Sequence, residues 1–523
     1  MVSIVTMEII RGYLEYTAEE MGMALRNSAF SPNIKERMDH SCAIFDWNGR
    51  LIAQAEHIPV HLGAMPLSVR VALEEFGKIE EGDMIALNDP YNGGTHLPDI
   101  TIIAPVYHNG DLIAYIVNRA HHSDVGGKAP GSMPSDSIEI FEEGLIIPPV
   151  KIVKEGEINS EVLKIILSNT RTPRIRRGDL VAQLTANKTG IKRVKELVEK
   201  YGKETFKGAV KLLLDYTERR VKAKVKEIPD GEAEAIDYLD DTGHLDESIP
   251  IKVRIIKRNT EVVFDFRDNM REIRGALNSP RSVTVSASYY VFKAITDPTI
   301  PSNDGAYRAL KVLTRKGTIL DATPPYAVAA GNVETSQRIV DVLLKALSNL
   351  IPKKIPAASQ GTMNNVTIGG INPKTGKQFT FYETIGGGGG ACYGKHGESA
   401  VHTHMTNTMN TPIEEIEKDY PIMITKYTIR EDSGGNGKWR GGDGVIREYL
   451  FLTDTIVNLL GERHKHAPWG LQGGKPGAKG EYYKITKHGE KIKLKSKARI
   501  EFKKGERLLI LTPGGGGYGK QEA

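Results

Sequence analysis

The dipeptide Asn109-Gly110, set between two apolar runs, constrains this 523-residue chain more than any other feature. Asn-Gly favours a two-residue type I′ turn, because both central positions need positive φ. A β-hairpin is therefore expected here, with His108 paired to Asp111. Extending that ladder without interruption sets His121 opposite Pro98 and His122 opposite Leu97. His96 and Asp99 then stand within a residue or two of the His121–His122 pair, at the same end of the hairpin. Segments 25 residues apart become one cluster.

That cluster has the chemistry of a metal site. Imidazoles with one carboxylate suit Zn, Mn or Fe(II), and three protein ligands leave positions open for a reaction. Strict alternation places His121 on the face of His96 and His122 on the face of Asp99. Pro98 cannot donate a ladder bond and can bend the strand, so either histidine stays available as the third ligand. In Glu36-Arg37-Met38-Asp39-His40-Ser41, Glu36 or Asp39 can act as a base or pair locally with Arg37. His57 and His61, in EHIPVHLG, are candidate extra ligands or pocket residues, and the alternating His402 and His404 carry the same two readings.

The length exceeds one ordinary core, so several domains are expected: 1–228 with the hairpin, 229–375, and 376–523. The fold class expected is mixed α+β, an N-terminal α/β domain followed by β-rich domains with glycine-rich turns. Apolar periodicity predicts helices over 7–29, 282–296 and 334–350, with Asn332 as N-cap of the last. A long charged helix is predicted over 190–226, broken at Tyr201-Gly202, and strands alternate from about 230 to 270. Beyond 376, GGGGGACYGKHG, DSGGNGKWRGGDG, GLQGGKPGAKG and TPGGGGYG read as tight turns using positive φ. None is a Walker loop, and none opens a helix as a dinucleotide fingerprint must.

Composition removes other classes. A net charge of +5, with both signs interspersed, offers no basic stripe for nucleic acid. No apolar run is long enough for a bilayer span, and the N-terminus lacks a signal-peptide pattern. Two cysteines, Cys42 and Cys392, make no disulfide framework, so a cytoplasmic location is expected.

NDPYNGGTHLPD, NRAHHSDVGG and NTRTPRIRRGDLVAQLTA together resemble the hydantoinase B family. AGNVETSQRIVD, AASQGTMNN, DSGGNGKWRGGDG and the terminal TPGGGGYG extend the likeness from about Ile34 to Gly519. The family includes the B components of N-methylhydantoinases, the matching half of 5-oxoprolinase, and alpha subunits of acetone and acetophenone carboxylases. The resemblance implies one divalent metal on His96, Asp99 and His121, and suggests Glu36 near it. It implies a hydantoinase A-type partner that binds ATP, in a hetero-oligomer such as α2β2. The activity implied is ATP-dependent hydrolysis of a cyclic amide, with Glu36 or Asp124 managing the proton. ATP-dependent ketone carboxylation and a non-catalytic scaffold are the alternatives.

Overall fold

The computed structural model describes residues 2–55 and 58–521. Its N-terminal part, to Lys226, is a seven-stranded antiparallel sheet between helices. Helices α1 (Ile4–Ser28) and α2 (Pro32–Lys35) precede strands β1 (His40–Asp46) and β2 (Leu51–Ala55). Helix α3 (Ala64–Phe76) leads to β3 (Met84–Leu87), β4 (Asp99–His108), β5 (Asp111–His121), β6 (Val150–Lys154) and β7 (Glu157–Ile158). Helices α4 (Ser160–Ser168), α5 (Pro173–Tyr201) and α6 (Lys203–Lys226) close the unit. The strand order is β2-β1-β5-β4-β3-β6-β7, which puts the Asn109-Gly110 hairpin at the centre.

Both faces of that sheet are covered, which explains its near-continuous apolar strands. Cys42, Ile44, Ala114 and Ile116 pack against α1, α5 and α6. Ala43, Phe45, Tyr115 and Val117 pack instead against Met65, Val69 and Ala72 of α3. Helix α1 begins where the Ser3 side chain accepts from the Thr6 amide at 3.0 Å, and it buries Ile10, Leu14, Met21 and Leu25 on one stripe. The break at Tyr201-Gly202 falls as expected, between α5 and α6. Helix α5, however, starts at Pro173, well before position 190. Its first half buries Arg176, Asp179, Gln183 and Asn187, polar residues that interrupt the apolar period by which helices are read.

The second sheet, β8 (Gly231–Leu239), β9 (Ile249–Arg258), β10 (Glu261–Asp265) and β11 (Leu310–Leu313), has the order β11-β10-β9-β8. It shares a core with α7 (Arg281–Thr296), the short α8 (Asp304–Tyr307) and α9 (Ser336–Leu347). Asn332 does not cap α9. It lies inside a π-helical turn, Gly331–Thr335, that runs directly into the helix. The remaining strands form two sheets around one core. One contains β12 (Asn365–Ile371), β13 (Gln378–Glu383), β16 (Thr455–Leu460) and β19 (Lys497–Phe502). The other contains β14 (Ile422–Arg430), β15 (Gly444–Phe451), β17 (Glu481–Ile485), β18 (Lys491–Leu494) and β20 (Arg507–Leu511). Helix α10 (Ile413–Asp419) lies between β13 and β14 in the chain.

The glycine runs bear out the expectation of positive φ only at Gly394, Gly473 and Gly519. Gly388–Gly390, Gly434, Gly435, Gly441, Gly442 and Gly514–Gly517 are absent from the positive-φ residues. They are glycine for space. A Cβ would fall 1.8 Å from Ala357 O at Gly390, 1.9 Å from Glu398 O at Gly442, and 2.0 Å from Gly389 O at Gly515. Backbone packs on backbone, with Gly442 N donating to Gly389 O at 2.9 Å, Gly515 N to Gly442 O at 2.9 Å, and Gly435 N to Gly515 O at 2.8 Å. Three sequence-distant runs thus meet backbone on backbone through their peptide groups. No helix of the described residues is long and apolar enough to cross a membrane.

Gly515→Ala should therefore destabilise the protein by about 3 kcal/mol or prevent folding, because backbone cannot yield as a side chain can. Gly12, in α1 with nothing within 4 Å of its Cβ position, provides the contrast. Gly12→Ala should leave stability unchanged or raise it by about 0.5–1 kcal/mol. Denaturant unfolding of both variants checks the pair.

Candidate metal centre

The central hairpin closes as the sequence predicts, with Asn109 and Gly110 at φ of 51° and 81° and His108 paired to Asp111. Close to the turn, the ladder slips. Tyr107 pairs with Leu112, but Val106 pairs with Ala114, leaving Ile113 as the extra residue of a β-bulge. His121 consequently lies opposite Asp99 rather than Pro98. Directly paired residues share a face, so the slip puts His121 with Asp99 and turns His122 away. His96 reaches them from the loop before β4, where the Asp99 amide donates to His96 O at 3.1 Å.

Three atoms form a triangle. His96 Nε2 is 3.2 Å from His121 Nδ1 and 3.3 Å from Asp99 Oδ1, and the third edge is 3.4 Å. Donors about 2.0–2.1 Å from a tetrahedral ion stand about 3.3–3.4 Å apart, so the edges fit a metal's coordination sphere. All three residues are buried, and Asp99 Oδ1 has no hydrogen-bond donor among the described residues. A buried carboxylate oxygen left so is costly unless something positive meets it. Burial would raise the Asp99 carboxyl, but His96, His121 and His61 outweigh it and hold it well below the usual carboxylate range. Burial pushes the His121 imidazole below its ordinary value, towards the neutral form that a ligand requires. The residues present fit a divalent ion.

The surrounding groups fix this geometry. Asp99 Oδ2 accepts from the Thr95 hydroxyl and lies 3.5 Å from His61 Nε2, while His61 Nδ1 meets Ser41 Oγ at 2.9 Å. The Tyr382 ring stacks on His121 with centroids 4.7 Å apart. The Arg37 guanidinium lies over the same Tyr382 ring, its carbon 4.8 Å from the centroid. Asn33 Nδ2 donates to His121 O at 2.8 Å and to Asp39 Oδ2 at 3.4 Å. On the opposite face, His122 Nε2 meets Gln183 Oε1 at 2.9 Å, and Gln183 Nε2 donates to Ile100 O at 2.9 Å and Asn118 Oδ1 at 2.8 Å. Asn118 in turn donates to Asn187 Oδ1 at 2.7 Å. Gln183 and Asn187, one turn apart on α5, thereby pin the helix to the hairpin beneath the site.

The other sequence candidates fall elsewhere. Among the described residues, no hydrogen bond or ion pair joins Glu36 or Asp124 to the triangle. Asp124 is committed to its own loop, with Arg171 Nη1 at 2.9 Å and the Arg171 amide donating at 3.0 Å. Asp39 comes instead, its Oδ2 3.9 Å from His121 Nδ1. Arg37 forms no ion pair among the described residues; it donates to Asn33 Oδ1, to Thr384 Oγ1 at 2.7 Å and to Met409 O at 3.3 Å. His402 meets Asn410 at 3.4 Å and His404 meets Tyr290 at 3.3 Å, neither of them within the triangle. His57 lies outside the described residues. Tyr382 is beyond the reach of sequence reasoning, since nothing local in QFTFYE marks it.

Residues 3–521 match the family profile described as hydantoinase B/oxoprolinase. An uncharacterized protein of Methanocaldococcus jannaschii is 48% identical over 519 residues, covering 98% of this chain and 90% of that one. The Arabidopsis thaliana 5-oxoprolinase 1 is 40% identical over 529 residues, covering 96% of this chain but only 40% of the relative. The chain thus spans about two-fifths of that 5-oxoprolinase. A Pseudomonas sp. protein provisionally named as the B component of a D-/L-hydantoinase is 32% identical, covering 98% of this chain and 90% of that one. The crystal structure of an ATP-dependent caprolactamase from Pseudomonas jessenii superposes with a TM-score of 0.93 at 29% identity, covering 99% and 92% of the two chains. A nucleotide-free acetone carboxylase has a TM-score of 0.89 at 19% identity, covering 98% and 75%, a likeness of fold.

Elemental analysis of the purified protein should find about one divalent ion per chain. Asp99→Asn and His96→Ala should each weaken metal retention at least about tenfold while remaining folded. His122→Ala should keep the metal and lose about 1–3 kcal/mol of stability, since Gln183 Oε1 is left buried without its partner. Metal loss in His122→Ala with retention in His96→Ala would reverse the assignment of the two histidines.

Proposed function

Because this chain belongs to the hydantoinase B/oxoprolinase family, we propose that it is the metal-bearing subunit of an ATP-dependent hydrolase that opens a cyclic amide. A hydantoin, a lactam or 5-oxoproline belongs to that substrate class. The observation that carries the reading is the triangle of His96, Asp99 and His121, whose edges of 3.2–3.4 Å match three ligands of one coordination sphere. ATP is assigned to a hydantoinase A-type partner, since no run in this chain has a phosphate-loop pattern. The greater length of the 5-oxoprolinase relative supports a second functional part. A cytoplasmic hetero-oligomer such as α2β2 suits both assignments.

Ring amides are poor electrophiles, and phosphorylation of the carbonyl oxygen by the partner would provide a better leaving group. A divalent ion on the triangle, with Zn, Mn and Fe(II) all suited to its donors, would supply Lewis-acid polarisation at the reacting carbon or phosphoryl oxygen. The chain's own residues set the geometry. Thr95 and His61 hold Asp99 Oδ2, which keeps Oδ1 turned towards the two imidazoles. Tyr382 covers one face of His121 and keeps bulk water from it. Asp39, buried and next to the cluster, is the residue placed to take and return a proton. We assign it that role in place of Glu36 and Asp124.

Co-expression with the A-type partner should give ATP-dependent ring opening of 5-oxoproline, a hydantoin or caprolactam, followed by product chromatography and phosphate release. Asp39→Asn should lower turnover by about 10²–10⁴-fold with the metal retained, the range of general acid–base catalysis. Bicarbonate-dependent consumption of acetone, with no ring opening, would replace this reading with the carboxylase one. Full turnover in a metal-free Asp99→Asn variant would leave the chain a scaffold.

A further inference from the structure

A cavity of about 610 Å³ opens between α3 and α7, with Gly63, two residues after His61, in its wall. Its volume is that of a small-molecule site. Four arginines line it, and they divide into two kinds. Arg50 is neutralised by Asp46 at 2.7 Å, and Arg308 by Glu218 at 2.8 Å and Asp304 at 3.1 Å. Arg70 and Arg281 have no hydrogen-bond or ion-pair partner among the described residues, although both face the same space. Glu74 lines the same wall without coming within ion-pair distance of either.

Tyr289 lines this space with them. Its ring is fixed by parallel stacking on Tyr307, with centroids 3.8 Å apart and planes 3° apart, and its hydroxyl has no partner among the described residues. Burial raises its phenol above the ordinary value, Asp304 adds to that, and Arg281 and Arg70 oppose it. The phenol therefore stays protonated and able to donate, and the two arginines line the same cavity wall as its ring. Arg281 is also the first residue of α7, whose N-terminal end carries partial positive charge.

We propose that Arg70, Arg281 and the Tyr289 hydroxyl form a binding site for a phosphoryl group carried by a small molecule. Two guanidinium forks and a phenol O–H match the several acceptor oxygens of a phosphate dianion, and charge-assisted bonds of this kind are the strong ones. Hydrogen bonds tie α7 to the segments that carry His61 and His96. Ser282 Oγ of α7 donates to Gly94 O, two residues before His96, and the Gly63 amide donates to Ser286 Oγ at 3.0 Å. The site thus goes beyond the proposed hydrolysis and stands on observations independent of it. A nucleotide and a phosphorylated substrate carry the same recognisable group.

Calorimetric titration of the whole chain with inorganic phosphate and with ADP tests this. Wild type should bind phosphate in the millimolar range or tighter. The double variant Arg70→Gln/Arg281→Gln should weaken it at least about tenfold. Both residues are exposed, so the variant should keep its melting temperature and its full metal content, which separates this site from the metal reading. Glu74→Gln should tighten binding by removing a facing negative charge. ADP binding more tightly than phosphate supports the site with a nucleotide as its source; equal binding supports it with the phosphoryl group alone. Absence of phosphate binding, or equal binding by wild type and the double variant, overturns it.

Discussion

The pairing of Asp99 with His121 across the central hairpin is the contact on which the rest of the site depends. It exists because β5 carries one residue more than β4 beyond Val106. Without the bulge at Ile113, His121 and its neighbours would exchange faces, and the imidazole now beside Asp99 would point into the α5 side. Burial of the sheet on both faces makes such an exchange costly, since Val117 and Ile116 would change cores as well. A single inserted residue near the turn thus sets side-chain direction about eight residues away, at the far end of the strand.

The hairpin itself was legible because Asn-Gly states a turn geometry, and because imidazoles and a carboxylate at one strand end state a chemistry. The parity of His121 and His122 was not, since a bulge has no local sequence mark when the extra residue, Ile113, is as apolar as its neighbours. Likeness to a known family selected His121 where alternation would have mispaired it. Helix α5 was half visible for a related reason: Gln183 and Asn187 are buried yet polar, satisfied by Ile100 O, Asn118 and Ile102 O. Asp39 and Glu36 look alike in the sequence, and the tertiary placement of Asp39 beside His121 and Asn33 distinguishes them. Tyr382 lies more than 250 residues from the hairpin, and its role is a product of tertiary packing.

Arg37 shows how the chain's distant parts are joined at this point. It is fully buried, forms no ion pair among the described residues, and donates to Asn33, Thr384, Thr408 and the carbonyls of Tyr382 and Met409. A buried cation held by neutral acceptors is stable only if nearly every N–H finds one. The requirement ties the segment after α2 to the segments flanking β13. Any displacement of the C-terminal sheets would strip acceptors from Arg37 and loosen Asn33, and through it the carbonyl of His121. The triangle is therefore a property of the assembled chain, although His96, Asp99 and His121 all come from residues 96–121.

The glycine runs carry a thermal consequence. Where Gly389, Gly442, Gly515 and Gly435 meet, folding buries peptide groups and very little hydrocarbon. Unfolding such a body exposes polar surface, which lowers the heat-capacity change that apolar exposure raises. Its cohesion is chiefly enthalpic, from hydrogen bonds shielded by neighbouring backbone, and it fades less on cooling than an aliphatic core does. One chain therefore joins two materials with different temperature responses: sheets sealed by isoleucine and valine, and a polar lattice of bare backbone.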